Sequence, residues 1–326
     1  MRPFSFNKPD NSAKALSNKK DKVQFIAGGT NLLDLMKKNI AQPDTVLDIT
    51  TALSNKIELR PNALRIGAMV RNSAIATDST IISKFPLLAK AVLAGASPQI
   101  RNMASTGGNL LQRTRCPYFY DITTPCNKRI PGSGCSALQG DNRMSAVIGY
   151  SDQCVAVHPS DLCIALAALD ASVSIIEKSG KQSTIPFKDF HRLPGTTPDR
   201  DNNLPANALI AFIDIPNNSF QKNYAYLKLR DRDSYAFALV SVAAALHLEN
   251  NRIVDARLAS GGVAHKPWRW YEAENYLKGK EATASNFSEA AAIAIKDVKP
   301  LSHNGFKKPM LAGVMETALQ NCLTVQ

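Results

Sequence analysis

The chain has 326 residues, of which 44% are hydrophobic, so it can bury a substantial core and is long enough for two or three domains. Its formal net charge of +12 suits an acidic protein partner, an anionic cofactor or nucleic acid, but the basic residues form no block and only two Trp are present. We therefore expect an acidic partner or an anionic cofactor, and no nucleic acid. No run of residues approaches the roughly 18 consecutive apolar residues of a membrane-spanning helix, which argues against a membrane protein.

The first part of the chain has the pattern of an α/β unit. An apolar strand is predicted over residues 23–27, followed by a Gly-Gly turn, a helix over residues 31–38 and a second strand over residues 45–50. We place this N-terminal unit in residues 1–55.

A second domain of mixed α and β structure is predicted over residues 56–222. It begins with a hairpin around Pro61 and a long helical region over residues 72–93, and it ends with a strand over residues 208–216. Between these parts, residues 113–158 are rich in Pro, Gly, Cys and basic residues and show no helical or strand period. We therefore interpret residues 113–158 as an insert in this domain.

The remaining residues, 223–326, are predicted to form a smaller C-terminal α+β domain. Strand-like alternation comes first, with a turn at Glu249, Asn250 and Asn251, and helical stretches follow near residues 272–278, 285–297 and 309–323. We detect no internal repeat in the chain.

Two glycine-rich segments have the composition of anion-binding turns. The first, AGGTN (27–31), lies between an apolar strand and a helix start, where backbone amides and the helix dipole favour a phosphate and Thr30 adds a hydroxyl donor. The second is ASTGGNLL (104–111), which follows a helical stretch. Each of them could equally be an ordinary connecting turn. Neither segment has the spaced glycines of a nicotinamide-binding fold or the Gly-Lys-Ser/Thr of a P-loop.

Four of the six cysteines, at positions 116, 126, 135 and 154, are clustered in the insert. A chain of this size does not need disulfides for stability, so metal ligation fits the clustering better. The spacing alone leaves zinc and an iron–sulfur cluster open, because both take four thiolates. Cys163 lies in the apolar helical run LCIALAAL, and both Cys163 and Cys322 are expected to be buried as small hydrophobic residues.

The sequence offers no residues for substrate chemistry. The five His are scattered, and none pairs with Cys or another His at a metal-ligand interval, so we assign them no role. A G-x-S-x-G nucleophile motif is absent as well, which argues against a hydrolase. We expect no catalytic side chain in this chain.

The segments AGGTNLLDLMK and ASTGGNLLQ, in that order, resemble the FAD subunit of xanthine dehydrogenases, carbon monoxide dehydrogenases and bacterial aldehyde oxidoreductases, the molybdenum hydroxylase family. The resemblance covers nearly the whole chain, including ASGGVAHKPWR (259–269). It implies an α+β fold of the vanillyl-alcohol-oxidase type, in which FAD lies between the N-terminal unit and the second domain, with a small C-terminal domain alongside.

The resemblance also implies which residues contact FAD. The first segment matches the loop around the pyrophosphate, and the second matches the loop near the flavin. Asp161 matches a polar FAD contact, although it also fits a helix N-cap with Ser160, and Lys228 matches a basic residue near the flavin, although it also fits an exposed strand lysine. The implied FAD contacts in the two segments are Ile26, Ala27, Gly28, Gly29, Thr30, Asn31, Leu32, Ile100, Ala104, Ser105, Gly108, Asn109 and Leu111.

The insert distinguishes this chain from many relatives, which run almost directly from the GGN turn to the SDL helix. Members with such an insert, those like periplasmic aldehyde oxidoreductase, hold a [4Fe–4S] cluster there. The resemblance therefore implies cluster ligation by Cys116, Cys126, Cys135 and Cys154. The charge of the cluster could be moderated by Lys128, Arg129 and Arg143.

By the same resemblance, the chain is expected to work in a heterotrimer with a large molybdenum-cofactor subunit and a small [2Fe–2S] subunit. It would pass electrons from the partner's [2Fe–2S] centres through FAD to an external acceptor while the large subunit oxidises an aldehyde. The N-terminus, MRPFSFNKPD, lacks the apolar core of a signal peptide, so a periplasmic location would require co-export with a partner, and the cytoplasm is the alternative. The competing hypotheses are a zinc-stabilised assembly protein and a stand-alone FAD oxidoreductase.

Overall fold

The computed structural model describes residues 1–324, and its strands form three separate sheets. The first sheet is parallel, with the strand order β1-β3-β2. Its elements are β1 (Ser5–Asn7), α1 (Ser12–Ser17), β2 (Val23–Ile26), α2 (Leu32–Lys37) and β3 (Thr45–Asp48). The central strand β3 buries Val46 and Leu47, while Leu35 and Met36 of α2 are buried on the same unit.

The second sheet has five antiparallel strands in the order β4-β5-β8-β6-β7. Strand β5 pairs with β8, although the insert and most of the helices lie between them in the chain. This long-range pairing closes the domain around a single apolar core. The elements are β4 (Ile57–Leu59), β5 (Ala63–Gly67), α3 (Asn72–Thr77), α4 (Ser79–Lys84), α5 (Pro86–Ala94), α6 (Pro98–Met103), α7 (Thr106–Leu110), α8 (Pro117–Tyr120), α9 (Asp161–Ala168), β6 (Ser172–Glu177), β7 (Gln182–Pro186), α10 (Phe187–Phe190) and β8 (Ala208–Pro216).

The helical region predicted over residues 72–93 is divided into α3, α4 and α5. Asp78 ends α3 and caps α4, because its Oδ1 accepts a hydrogen bond from the Ile81 amide at 3.0 Å. Pro86 occupies the first turn of α5, where a missing amide proton is tolerated. These two breaks explain why the apolar residues recur at mixed intervals of three and four.

Residues 113–158 contain little regular structure, as the sequence predicts. Beyond α8 there is a single 3-10 turn at Ser136–Leu138. The apolar cluster of this segment consists of Phe119 and Cys126 with Leu35 of the N-terminal unit. Turn-type backbone hydrogen bonds and hydrogen bonds between side chains and the backbone run through this segment.

The third sheet is antiparallel, with the order β12-β11-β10-β9, and three helices pack against it. Its elements are β9 (Tyr224–Leu229), β10 (Val240–Glu249), β11 (Arg252–Gly261), β12 (Trp268–Arg269), α11 (Tyr271–Leu277), α12 (Ala284–Ile295) and α13 (Lys307–Asn321). The predicted α+β class is confirmed. No helix within residues 1–324 is long and apolar enough to cross a membrane.

Candidate cofactor site

The two glycine-rich segments meet at one cavity of about 1250 Å³. This volume exceeds the about 300–1,000 Å³ of ordinary small-molecule pockets and suits a dinucleotide. Every residue predicted to contact the cofactor lines the cavity; whether each contacts bound FAD stays a prediction. These residues are Ile26, Ala27, Gly28, Gly29, Thr30, Asn31, Leu32, Ile100, Ala104, Ser105, Gly108, Asn109, Leu111, Asp161 and Lys228.

The loop between β2 and α2 depends on its two glycines. A Cβ atom on Gly28 would lie 1.9 Å from the carbonyl oxygen of Met103, so only glycine lets this loop approach the end of α6. Gly29 has φ of +73°, the left-handed region that glycine adopts without strain. The two halves of the cavity wall are thus in direct backbone contact.

The second glycine segment is not the turn that the sequence predicts. It forms the short helix α7, whose N-cap is Ser105, because the Ser105 hydroxyl accepts a hydrogen bond from the Gly108 amide at 3.2 Å. Gly107 lies against Ala68 at the end of β5, and its amide donates to the Ala68 carbonyl at 2.9 Å. Its missing side chain allows the helix to sit directly on the sheet edge.

Two buried amide side chains at the cavity are incompletely satisfied. Asn31 Nδ2 and Asn72 Oδ1 have no hydrogen-bond partner in the part of the chain that the structure describes, and both residues line the cavity. Buried polar groups are rarely left unpaired in native proteins, so a polar ligand fits this site. Our sequence analysis missed Asn72, because an Asn at a helix start is indistinguishable from an ordinary cap.

Asp161 and Lys228 form a buried ion pair in the cavity wall. Lys228 Nζ lies 2.7 Å from Asp161 Oδ2 and also donates to the Ala94 carbonyl at 3.1 Å, while the Tyr226 hydroxyl donates to Asp161 Oδ1 at 2.7 Å. Burial, followed by the Asp161 charge, raises the pKa of Tyr226 well above its usual value. The alternative of an exposed Lys228 is wrong, and the N-cap of α9 is Ser160, with Asp161 as the first helical residue.

The cavity has an excess of positive charge. Seven Lys or Arg residues line it against four Asp, and three of the acids are neutralised by ion pairs with Arg115, Lys228 and Arg143. A concave site with this surplus attracts an anion such as a pyrophosphate. The basic residues are Lys19, Arg101, Arg113, Arg115, Arg143, Lys228 and Arg232.

The four clustered cysteines are brought together by the insert. Cys126 and Cys135 form an isolated β-bridge, and charges on Cys135 and Cys116 each influence the thiol of Cys154. Burial raises the pKa of Cys116 to about 11 and that of Cys154 to about 12. Backbone amides donate hydrogen bonds to the sulfurs of Cys116 and Cys154. The Ala156 amide lies 3.4 Å from Cys154 Sγ. All four are free thiols.

The basic residues predicted to face the cysteines have different roles. Lys128 is buried and paired with Asp201 at 2.5 Å, and its charge lowers the pKa of Cys154. Arg129 instead donates to backbone carbonyls of the insert, at 2.7 Å in the case of Tyr118. Arg143 lies at the cavity and pairs with Asp231 at 2.7 Å.

His158 and His191 are far apart in the sequence, but the structure brings both of them to Cys163. One ring nitrogen each of His158 and His191 and the Sγ of Cys163 all lie within 4.8 Å of one another. Desolvation lowers the pKa of His191 to about 4 and that of His158 well below its usual value, so both rings are neutral. Cys163 and Cys322 are fully buried, as predicted.

Family models match nearly the whole chain. Residues 2–218 match the FAD binding domain in molybdopterin dehydrogenase, and residues 224–321 match the CO dehydrogenase flavoprotein C-terminal domain. The chain belongs to the FAD-binding subunits of the molybdenum hydroxylases. The predicted family, its FAD cofactor and its oxidoreductase class are thereby confirmed.

Among characterised relatives of this FAD-binding subunit, the aldehyde oxidoreductase FAD-binding subunit PaoB of Escherichia coli (strain K12) is 44% identical over 326 residues, covering 98% of this chain and 99% of the relative. The glyceraldehyde dehydrogenase medium chain of Sulfolobus acidocaldarius is 26% identical, covering 93% and 91%. The similarity extends through the insert in the first case, since almost the full length is aligned.

Solved structures confirm the fold of this FAD-binding subunit. A chain of quinoline 2-oxidoreductase from Pseudomonas putida 86 superposes with a TM-score of 0.75 and 21% identity, covering 99% of both chains. A chain of CO dehydrogenase from Oligotropha carboxidovorans gives a TM-score of 0.76 and 20% identity, covering 98% of both. At these identities the likeness concerns the fold alone.

Proposed function

We propose that this FAD-binding subunit transfers electrons in a complex that oxidises aldehydes to carboxylic acids. The observation that carries the proposal is the 1250 Å³ cavity in which both glycine segments meet beside two unpartnered buried amides. The 44% identity to an aldehyde oxidoreductase subunit supports the substrate class. On the partner, an aldehyde RCHO and water would give RCOOH, two protons and two electrons, and the electrons would leave through this chain to an external acceptor.

The residues of this chain bind and orient the cofactor and take no part as acids or bases. The backbone around Gly28 and Gly29 would meet the pyrophosphate, and the amides of Asn31 and Asn72 would offer one donor and one acceptor to the ligand. The Asp161–Lys228 pair keeps the wall of the cavity rigid. Bound FAD supplies the exchange between one-electron and two-electron carriers.

The four cysteines of the insert are proposed to hold one [4Fe–4S] cluster. Among residues 1–324, no three of these sulfurs lie mutually within 4.8 Å, although the thiols are close enough to influence one another electrostatically. Zinc is the alternative occupant of a site with four thiolates, and metal analysis distinguishes the two. Amide donors to sulfur are also typical of such sites. We favour a structural or tuning role for this cluster.

The proposed partners are a large molybdenum-cofactor subunit and a small [2Fe–2S] subunit. Characterised relatives are themselves subunits or medium chains, which supports assembly. The insert also exposes Ile122 and Ile130, apolar side chains that a partner could cover. We propose a periplasmic location, reached by export of the folded complex with the signal on a partner.

The test is isolation of the native complex, with identification of its chains, flavin and iron, and fractionation of the host cell. We expect three different subunits, stoichiometric FAD, aldehyde oxidation by the complex and recovery in the periplasmic fraction. A monomer that oxidises aldehydes unaided would instead support a stand-alone FAD oxidoreductase. A colourless protein containing zinc in place of iron would support an assembly protein.

A further inference from the structure

A second group of metal-ligating side chains lies apart from the cysteine quartet. His158 lies two residues before Ser160, the N-cap of α9, Cys163 lies in the first turn of that helix, and His191 follows α10. His158, Cys163 and His191 are 7%, 0% and 4% exposed, respectively. Neither the FAD cavity nor the proposed iron–sulfur site uses their ligand atoms.

The imidazole nitrogens in this group are available as ligands. His191 Nε2 lies 2.8 Å from the Leu110 carbonyl, which can only accept a hydrogen bond, so Nε2 carries the proton and Nδ1 carries a lone pair. His191 Nδ1 and His158 Nε2 are buried and have no partner among the residues that the structure describes. A histidine that donates its other N–H to a backbone carbonyl is the usual arrangement of a metal ligand.

We propose that His158, Cys163 and His191 bind one zinc ion. Their ligand atoms lie within 4.8 Å of one another, and Zn–N and Zn–S bonds of about 2.0–2.3 Å let a single ion bridge them after small side-chain adjustments. Two imidazoles and a thiolate suit zinc, whereas magnesium and calcium require oxygen ligands.

The surroundings supply the remaining requirements of such a site. His158 also lines a separate cavity of about 190 Å³, which has room for the water that would complete a tetrahedral coordination. The rings of Phe187 and Phe190 pack edge-on against His191 and hold its orientation. A plain hydrophobic core would explain the packing, but it would leave the two ring nitrogens without partners.

The ion would join segments that form one wall of the FAD cavity. Cys163 is two residues from Asp161 in α9, and its amide donates to Ser160, which in turn is hydrogen-bonded to Asn109 of α7. His191 is tied to α7 through the Leu110 carbonyl. The zinc site would therefore stabilise the α7–α9 contact, and it does not depend on the proposed iron–sulfur cluster.

Metal analysis of the native complex, purified without chelators, tests the site. We expect about one zinc per copy of this chain, and a fall to below about one tenth in both Cys163→Ala and His191→Gln. The Gln amide can still donate to Leu110, so His191→Gln removes the ligand and keeps that hydrogen bond. Cys322→Ala and His265→Asn are the matched controls, since these residues are buried but lie outside the group, and they should retain zinc. Iron content should stay unchanged throughout.

A spectroscopic measurement on the wild-type complex adds a readout that does not depend on how the variants fold. Cobalt exchanged into the wild-type complex should give a thiolate-to-cobalt charge-transfer band, and this band should be absent from Cys163→Ala. The proposal is wrong if wild-type protein holds no zinc before or after incubation with Zn²⁺, or if copper replaces it. It is equally wrong if zinc survives in Cys163→Ala and disappears in Cys135→Ser, because the ion would then belong to the quartet.

Discussion

In the C-terminal domain, strands β10 and β11 and helices α11 to α13 bury a continuous apolar core. The separate apolar cluster of the insert at residues 113–158 has only Phe119 and Cys126 with Leu35 of another unit at its centre, and Val147 of the insert belongs to the C-terminal core instead. Each fully buried aliphatic or aromatic side chain contributes about 1.5–3 kcal/mol. The domain can therefore fold by burial, whereas the insert has little apolar core of its own. A long irregular segment with little core of its own therefore needs another source of free energy to become ordered.

Part of that source is a set of side-chain hydrogen bonds to the backbone. Asn127 Oδ1 accepts from the Gly134 amide at 2.8 Å, and its Nδ2 donates to the Gln153 carbonyl at 3.1 Å. Each such bond contributes about 0.5–1.5 kcal/mol net, while ordering the backbone costs about 1–2 kcal/mol per residue. Hydrogen bonds alone do not close this gap, which is why we expect the metal centre to organise the insert.

The largest effect is therefore expected for Cys135→Ser. Losing one ligand should remove the cluster iron and, with it, protection from hydrogen exchange across residues 113–158, while β10 and β11 should stay protected. Iron analysis and hydrogen-exchange mass spectrometry measure both. Cys322→Ser, in the C-terminal core, is the control and should keep its iron. An insert that stays equally protected without iron would show that hydrogen bonds suffice to order it.

A second large effect is expected for Gly28→Val in the cavity wall. A Cβ there would lie 1.9 Å from the Met103 carbonyl oxygen, so the loop must move away from α6. Overpacking of this kind costs about 1–3 kcal/mol, and FAD affinity should fall by at least about tenfold. Flavin content and a titration with FAD measure the loss. Gly305→Ala, which meets no atom within 4 Å, should bind FAD normally, and full FAD retention in Gly28→Val would contradict our placement of the loop.

Whether an element is specified by its own apolar pattern or by distant partners decides how well the sequence predicts it. Strand β8 follows the predicted residues 208–216, because a long apolar run specifies a buried strand. Strand β1, by contrast, is absent from our sequence interpretation, since its three residues are all exposed and only pairing with β3 defines it. Elements that depend on distant partners leave no local pattern.

The residues of the candidate sites also differ in whether the local sequence predicts them. The glycine segments were found because local sequence specifies a close backbone approach, and Gly28 shows that requirement directly. His158, Cys163 and His191 converge only after β6, β7 and α10 have folded back onto α9, so their spacing in sequence carries no signal. Asn72 was missed for the same reason, since its orphaned amide oxygen is a property of the assembled cavity.

Ion pairs also differ in strength between the buried and the exposed parts of the molecule. Lys228→Met should destabilise the protein by about 3–5 kcal/mol, because it leaves the buried Asp161 carboxylate without its cation. Asp231→Asn, which breaks the exposed pair with Arg143, should cost less than about 1 kcal/mol. Unfolding in denaturant measures both. Adding Asp161→Asn to Lys228→Met should recover part of the loss, and equal effects of the two single variants would contradict the burial argument.

The last predicted effect is confined to low pH and concerns His265, a residue of the C-terminal domain that lies against the insert. Burial, followed by the charge of Lys128, lowers the pKa of His265 to about 4, and the nearby His191 lowers it further. The hydrogen bond to the Arg192 carbonyl and the charge of Asp201 act in the opposite direction. Between pH 6.5 and 4 the unfolded chain binds a proton that the folded chain does not, so stability falls as the pH is lowered through this window.

One such histidine contributes about 1.4 kcal/mol per pH unit, or about 3 kcal/mol over the whole window. His265→Asn should flatten this slope, because the Asn amide can replace the imidazole N–H that donates to the Arg192 carbonyl and does not titrate. The measurement is the unfolding midpoint of the wild-type and variant chains at several values between pH 7 and pH 4. The two should differ least in slope above pH 6.5, where the imidazole is neutral in both the folded and the unfolded state. Parallel curves down to pH 4 would mean that His265 becomes protonated without unfolding, and that the boundary between the insert and the C-terminal domain is open to water.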